Sequence, residues 1–179
     1  MNQYWIFGYG SLMWNPGFHY VSRCEAQIED FHRSLCVYSV HHRGTAERPG
    51  LVLGLDEGGT CRGVAFEIAP DKWGETLFYL RAREQISMVY REISQPIELI
   101  ETKQKTEAVV FVADRNHAQY AGKLSHQELL RHVLQGEGQY GRCIDYVMST
   151  LSHLRGMSIH DEGLEALGRE LRSLSGQAL

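Results

Sequence analysis

Two stretches of the chain carry residue types suited to chemistry. The first runs Trp5-Ile6-Phe7-Gly8-Tyr9-Gly10-Ser11-Leu12-Met13-Trp14-Asn15-Pro16-Gly17-Phe18. Its β-branched and aromatic first half reads as a short buried strand, and Gly8, Gly10 and the turn chemistry of Asn15-Pro16-Gly17 stop that strand from continuing. A strand that breaks into a glycine-containing loop presents backbone N–H groups with no Cβ in the way, a concavity suited to a carboxylate or an oxyanion. A tight entry turn, with both glycines serving only backbone geometry, is the plainer reading of the same residues. The second stretch is the segment that ends at Glu84. At 3.6 residues per turn, Trp73, Leu77, Leu80, Glu84 and Met88 share one stripe of a helix, so Glu84 is a carboxylate on the face that turns to the core, while Glu75 projects from the opposite side. An apolar wall disfavours the charged form and raises a carboxyl pKa toward the range useful for proton transfer. The alternative is a helix that stops at Arg83, with Glu84 paired to Arg81 or another arginine.

Other chemistries lack their residues. Met13 stands where a dinucleotide fingerprint would place its third glycine, and no Gly-Lys-Ser/Thr run occurs. Ser11 is flanked by Tyr9 and Met13 where a nucleophile elbow needs glycines, and a conventional amidase finds no nucleophile–base pair. The nine histidines and four cysteines show no ligand spacing: His41-His42 are sequence neighbours, and Cys24, Cys36, Cys61 and Cys143 are scattered. No metal and no cofactor is therefore expected, and activity should survive chelation. Glu92 reads as a solvated strand glutamate in preference to half of a two-carboxylate pair. Tyr140, Arg142 and Tyr146 fall partly on one side of a helix start, where Arg142 is explained by helix packing and a surface ion pair.

The elements that must position these residues are legible as a sequence of strands followed by helices. After the opening strand, residues 18–40 read as two strands ending in Leu35-Cys36-Val37-Tyr38-Ser39-Val40, and His41–Gly50 as a polar loop. Leu51–Leu55 and Cys61–Ile68 flank Asp56-Glu57-Gly58-Gly59 as a hairpin. Asp71 is the expected N-cap of a helix that runs to about Glu84. Strands are expected over Ile86–Ile93, Ile97–Glu101 and Ala108–Ala113, with Val109-Val110-Phe111-Val112 fully buried. Helices follow over His126–Gln135 with Ser125 as cap, Tyr140–Arg155, and Glu162–Leu174 with Asp161 as cap; only the last few residues should fray. Strands first and helices grouped late predict an α+β fold, not an alternating βαβ fold.

Composition narrows the class. With 179 residues, 43% of them hydrophobic and 22% charged, the chain is sized for one domain with a proper core, soluble and folded. Eighteen Lys and Arg against 22 Asp and Glu give a formal charge of −4, and no long basic run is present, so nucleic acid is not an expected partner. Scattered cysteines read as reduced, mostly buried thiols of a cytosolic protein. The N-terminus lacks a basic region, and the apolar stretch after it is too short for a signal peptide or membrane anchor, so a cytoplasmic location is expected.

The run Phe7-Gly8-Tyr9-Gly10-Ser11-Leu12, followed by Trp14-Asn15-Pro16, resembles the opening of the ChaC family, the glutathione-specific γ-glutamylcyclotransferases. Asp30-Phe31-His32-Arg33, His42-Arg43-Gly44, Arg62-Gly63-Val64-Ala65, Tyr79-Leu80-Arg81-Ala82-Arg83-Glu84, and Gly141-Arg142 followed by Asp145-Tyr146 extend the likeness in the family's order over nearly the whole chain. The resemblance implies a mixed β-sheet closed into a small barrel with surrounding helices, and cleavage of glutathione to 5-oxoproline and cysteinylglycine. It makes Glu84 the proton-transferring residue, since Glu84 closes the Tyr-Leu-x-x-Arg-Glu motif, and it makes Tyr146 a candidate for substrate contact. Backbone N–H groups of the stretch from Ile6 and Phe7 through Gly8, Tyr9 and Gly10 to Ser11 would then anchor the γ-glutamyl end. The chain departs from the family's eukaryotic members after Glu84, where it carries Gln85-Ile86-Ser87-Met88-Val89-Tyr90 in place of a Gly-Gly-Tyr-like run. A cyclotransferase of broader specificity and a non-catalytic carboxylate-binding module of the same fold are the rival readings, and product identity separates them.

Overall fold

Tyr4–Gly8 forms strand β1, and every residue in it after Tyr4 is buried. The structure is a computed structural model and describes residues 3–176; the fraying expected of the last few positions concerns 177–179, which lie outside the described residues. β1 runs antiparallel to β3 (Gly50–Ile68), with Ile6 opposite Phe66, and parallel to β5 (Lys105–Ala113), with Ile6 level with Val109. With β2 (Ser22–Ser39) and β4 (Tyr90–Leu99) the strands close into a barrel in the order β1-β3-β2-β4-β5. The single parallel neighbour makes it a mixed barrel, and Ile6, Phe7, Ile28, Phe66, Val110 and Phe111 lie in its buried core. Helices α1 (Trp73–Glu84), α2 (His126–Gln135), α3 (Cys143–Gly156) and α4 (Glu162–Gly176) complete an α+β fold, as expected.

The described chain groups into two compact units. The first comprises the chain up to Ser34 with Gly54–Tyr120, and the second comprises Leu35–Leu53 with the chain from Ala121 onward.

The strands are longer and fewer than expected. Residues 22–39 form one strand, not two, and Asp56-Glu57-Gly58-Gly59 is no hairpin turn: β3 runs straight through it. Gly58 and Gly59 do take positive φ, +94° and +75°, as turn glycines would, yet the strand continues through them. On the neighbouring strand Asp30 also takes a positive φ, and His32 Nδ1 lies 2.8 Å from the Gly58 carbonyl oxygen. Asp56 is buried and held as an ion, accepting from Arg115 Nε at 2.8 Å, the Tyr120 hydroxyl at 2.8 Å and the Glu57 N–H at 2.9 Å. The segments expected at Ile86–Ile93 and Ile97–Glu101 are likewise one strand, starting only at Tyr90. Pro96 is tolerated inside it because pairing of β4 with β2 begins at Ile97 and leaves Pro96 paired to β5 alone. Val110, Phe111 and Val112 are fully buried as expected, whereas Val109 is half-buried.

In the second unit, two helix starts match their sequence signals. The Ser125 hydroxyl and the Glu128 carboxylate form a reciprocal capping box on α2, and Asp161 Oδ1 accepts from Leu164 N–H at 3.0 Å to cap α4. The helix expected over Tyr140–Arg155 instead begins at Cys143. Its first residues are drawn into a small hairpin, β6 (Glu137–Gly138) and β7 (Gly141–Arg142), because Gln139 and Tyr140 N–H groups donate to the His41 and His42 carbonyls. Gly138 allows that approach: a Cβ there would lie 2.4 Å from the His41 carbonyl oxygen.

Candidate active site

The helix that carries Glu84 is anchored at its start by stacking of Trp73 on Tyr4 of β1, ring centroids 4.9 Å apart. Asp71 does not cap it: Pro70–Lys72 form a 3-10 turn, Lys72 is the N-cap and no side chain caps the helix. Thr76 and Leu80 are its buried residues, and the helix ends at Glu84, where Gln85 N–H closes the last turn on the Arg81 carbonyl. Met88 falls beyond the helix, 60% exposed with a positive φ, so the apolar stripe stops at Glu84 instead of running on. Glu84 itself lies one turn past Leu80 with only 19% of its side chain exposed. Burial pushes its carboxyl above the ordinary glutamate value, and the neighbouring Arg83 charge opposes that rise only in part.

The pairing of Glu84 with Arg81 does not occur. Arg81 turns to β4 and grips Glu92 with two hydrogen bonds, 2.6 and 2.8 Å, which holds Glu92 below the ordinary range. Glu92 is thus a partly exposed strand glutamate paired as an anion to Arg81. The nearest cation to Glu84 is Arg83, whose Nε lies 3.2 Å from Oε1.

The glycine stretch leaves β1 at Gly8 and turns through a 3-10 turn, Ser11–Met13. Its carbonyls are engaged within the protein: Tyr9 by Arg33 Nε at 2.6 Å, Gly10 by Met13 N–H at 2.9 Å and Ser11 by Asn15 N–H at 2.8 Å. Gly63 on β3 lets β1 lie close, since a Cβ there would sit 2.3 Å from the Gly8 carbonyl oxygen. Ile6 and Phe7 are wholly buried and Tyr9 is nearly so.

One side chain joins loop and acid. Arg83 Nη2 donates to Ser11 Oγ at 3.0 Å, and Nη1 donates to the Asn15 carbonyl at 2.7 Å, the Pro16 carbonyl at 3.2 Å and the Tyr79 hydroxyl at 3.2 Å. The Glu84 carboxylate and the Ser11 hydroxyl thus lie on two edges of one guanidinium. Arg33 adds a second guanidinium beside the loop. Arg83 and Arg33 carry no sequence signal beyond their places in the Tyr79–Glu84 and Asp30–Arg33 runs, because their partners lie far away along the chain.

Tyr146 belongs to the second unit, whereas Glu84 and residues 6–11 belong to the first. It lies in α3, its hydroxyl accepts from Leu53 N–H at 3.1 Å, and the Arg43 guanidinium sits over its ring, 5.4 Å from the centroid. Tyr140 and Arg142 do not join it on a helix face. Tyr140 is 62% exposed in the β6–β7 turn, and Arg142, the residue before α3, is spent on two hydrogen bonds to Asp145. Among the described residues no group of His, Cys, Asp or Glu side chains is placed to hold a metal.

Known proteins place this arrangement in context. The chain is 32% identical over 163 residues to a glutathione-specific γ-glutamylcyclotransferase of Escherichia coli K12, covering 91% of this chain and 70% of that protein. It is 31% identical to glutathione-specific γ-glutamylcyclotransferase 1 of Danio rerio, over 84% of this chain and 79% of that one. The crystal structure of a yeast γ-glutamylcyclotransferase specific to glutathione superposes with a TM-score of 0.84 at 22% identity, over 97% of both chains, and so shares the fold. The family profile described as ChaC-like protein matches residues 4–174, nearly the whole chain, and with the barrel and these relatives it shows that the chain belongs to the ChaC-like family.

Proposed function

We propose that this protein, acting as a single domain over its whole length, is a glutathione-specific γ-glutamylcyclotransferase. The observation that carries the reading is the buried Glu84 carboxyl, raised in pKa and joined through Arg83 to the glycine loop. The names of the relatives, which act on glutathione, support the substrate.

The reaction is an intramolecular aminolysis. The α-amino nitrogen of the γ-glutamyl residue attacks the γ-carbonyl carbon, the amide C–N bond breaks, and the products are 5-oxoproline and cysteinylglycine. Glu84 takes the proton that the neutral attacking amine loses as the new C–N bond forms and returns it to the departing nitrogen, so the transfer balances. A carboxyl raised toward neutrality suits both transfers, because it is neither too weak a base nor too weak an acid. The N–H groups from Phe7 to Ser11, with the Ser11 hydroxyl, hold the γ-glutamyl end folded on itself and meet the negative charge that develops on the carbonyl oxygen. The four cysteines form no disulfide among the described residues, which suits a reducing cytoplasmic location, and no helix among the described residues is long and apolar enough to cross a membrane.

Mass spectrometry of purified protein incubated with reduced glutathione tests the reading. Equimolar 5-oxoproline and cysteinylglycine are expected, with γ-glutamyl-alanine turned over much more slowly. Free glutamate as the product would replace the cyclotransferase by an amidase, equal rates on both substrates would remove the specificity, and no product at all would leave a carboxylate-binding module.

A further inference from the structure

We propose that Arg83 is a positioning residue that sets the separation of the Glu84 carboxylate from the glycine loop. The proposal rests on the reading of Glu84 as the proton-transferring residue. Its ground is the geometry of one guanidinium. Nε faces Glu84 Oε1 at 3.2 Å, Nη2 faces Ser11 Oγ at 3.0 Å, and Nη1 reaches the Asn15 and Pro16 carbonyls at 2.7 and 3.2 Å. Nη1 and Nη2 of a rigid plane are thereby hydrogen-bonded to the loop, while Nε stands at ion-pair distance from the acid.

The plane is itself held from its own helix. Tyr79, four residues earlier and so on the same face of α1, places its hydroxyl 3.2 Å from Nη1. The loop closes on that hydroxyl at Gly17, whose φ is +76° and where a Cβ would lie 2.0 Å from the Tyr79 oxygen. The Arg83 side chain is only 22% exposed, so water competes weakly for its donors. A lysine keeps the charge but brings its three donors together on one nitrogen, which cannot meet the carboxylate, the hydroxyl and two carbonyls on three edges at once. The arrangement matters because an intramolecular attack depends on near-attack geometry, where a misplacement of about 1 Å costs on the order of 10²-fold in rate.

The test compares Arg83→Lys and Arg83→Gln with the parent in three measurements: thermal midpoint, steady-state turnover of glutathione below that midpoint, and amide hydrogen exchange of the Ser11–Gly17 segment. The lysine variant is expected to fold, with kcat lowered about 10²-fold, KM changed much less, and exchange in the segment faster by roughly tenfold or more. The glutamine variant should match it in kcat. Parental kcat in Arg83→Lys would overturn the proposal, because charge alone would then suffice. So would a loss of turnover that only follows the unfolded fraction, or exchange that does not change. If the parent forms no 5-oxoproline, the functional reading falls by itself, and hydrogen exchange still decides whether Arg83 holds the loop.

Discussion

Glu84 and Glu92 are eight positions apart, each is mostly covered, each stands beside an arginine, and they are driven in opposite directions. Glu92 receives two short hydrogen bonds from Arg81 and is stabilised as an anion. Glu84 receives one contact at 3.2 Å from Arg83, an arginine whose remaining donors are spent on Ser11, Asn15, Pro16 and Tyr79, and burial outweighs what that contact returns. Proximity to a cation therefore does not decide whether a carboxylate is quenched. What decides is how many of the cation's hydrogen bonds are left for it, and a guanidinium busy elsewhere leaves burial to raise the pKa of its acid.

The largest expected effect comes from removing the carboxyl raised by burial. Glu84→Gln keeps size and one acceptor but cannot take up a proton, so kcat for glutathione should fall by about 10²–10⁴-fold with binding within a few-fold of the parent. Its melting temperature at neutral pH should equal or exceed the parent's, because Arg83 keeps its other partners and a carboxylate disfavoured by burial is gone. Turnover above roughly a tenth of the parental rate in a folded, glutathione-binding variant would sink the catalytic assignment.

A smaller effect lies in pH. Glu84 must be ionised to accept a proton, so the acid limb of kcat/KM should fall tenfold per pH unit about a midpoint above the ordinary glutamate value of 4.5. The two glutamates also make opposite contributions to folding. Glu84, raised in the fold, binds more protons folded than unfolded, so its contribution is present below 4.5 and is lost as pH rises through its elevated pKa. Glu92, lowered in the fold, contributes above 4.5 and loses that contribution as pH falls through its depressed pKa. Melting curves from pH 3 to 8 should show Glu84→Gln gaining on the parent as pH rises; the same gain in Glu92→Gln would erase the distinction.

The smallest effect is expected from Glu92→Gln at neutral pH. The pair is largely open to solvent on the Arg81 side, so the melting temperature should drop by no more than about 4 °C, with glutathione turnover at the parental rate. A loss of turnover approaching that of Glu84→Gln would mean that both carboxylates serve the reaction.

Features controlled by near neighbours were legible before any coordinates. Ser125 with Glu128, Asp161 with Leu164, and β1 breaking at Gly8 are satisfied by residues within three or four positions, and each lies where its signal said. The burial of Glu84 followed from its spacing after Leu80, whereas the same stripe ran on to Met88, which lies exposed beyond the helix. Gly58-Gly59 and Tyr140–Arg142 misled for one shared reason. Their local chemistry, that of a turn and of a helix, was overridden by partners far along the chain: His32 on the neighbouring strand meets the Gly58 carbonyl within a continuous strand, and the His41–His42 carbonyls hold Gln139 and Tyr140 in a hairpin.

The sequence by itself determined that strands come first and helices late, the caps of α2 and α4, the glycine loop and a carboxylate turned inward at the end of α1, because propensity, periodicity and turn chemistry act over a few residues. Only the tertiary structure decided which arginine would satisfy which carboxylate. Arg81 and Arg83 are the same residue type on the same helix, two positions apart, and spacing offers either one to Glu84. Barrel closure supplies the difference: β4 brings Glu92 to Arg81, and the loop after β1 brings Ser11, Asn15 and Pro16 to Arg83. Hydrogen-bond donors are a finite resource shared through space, and their allocation is settled by the residues the fold delivers, from as far as 72 positions away.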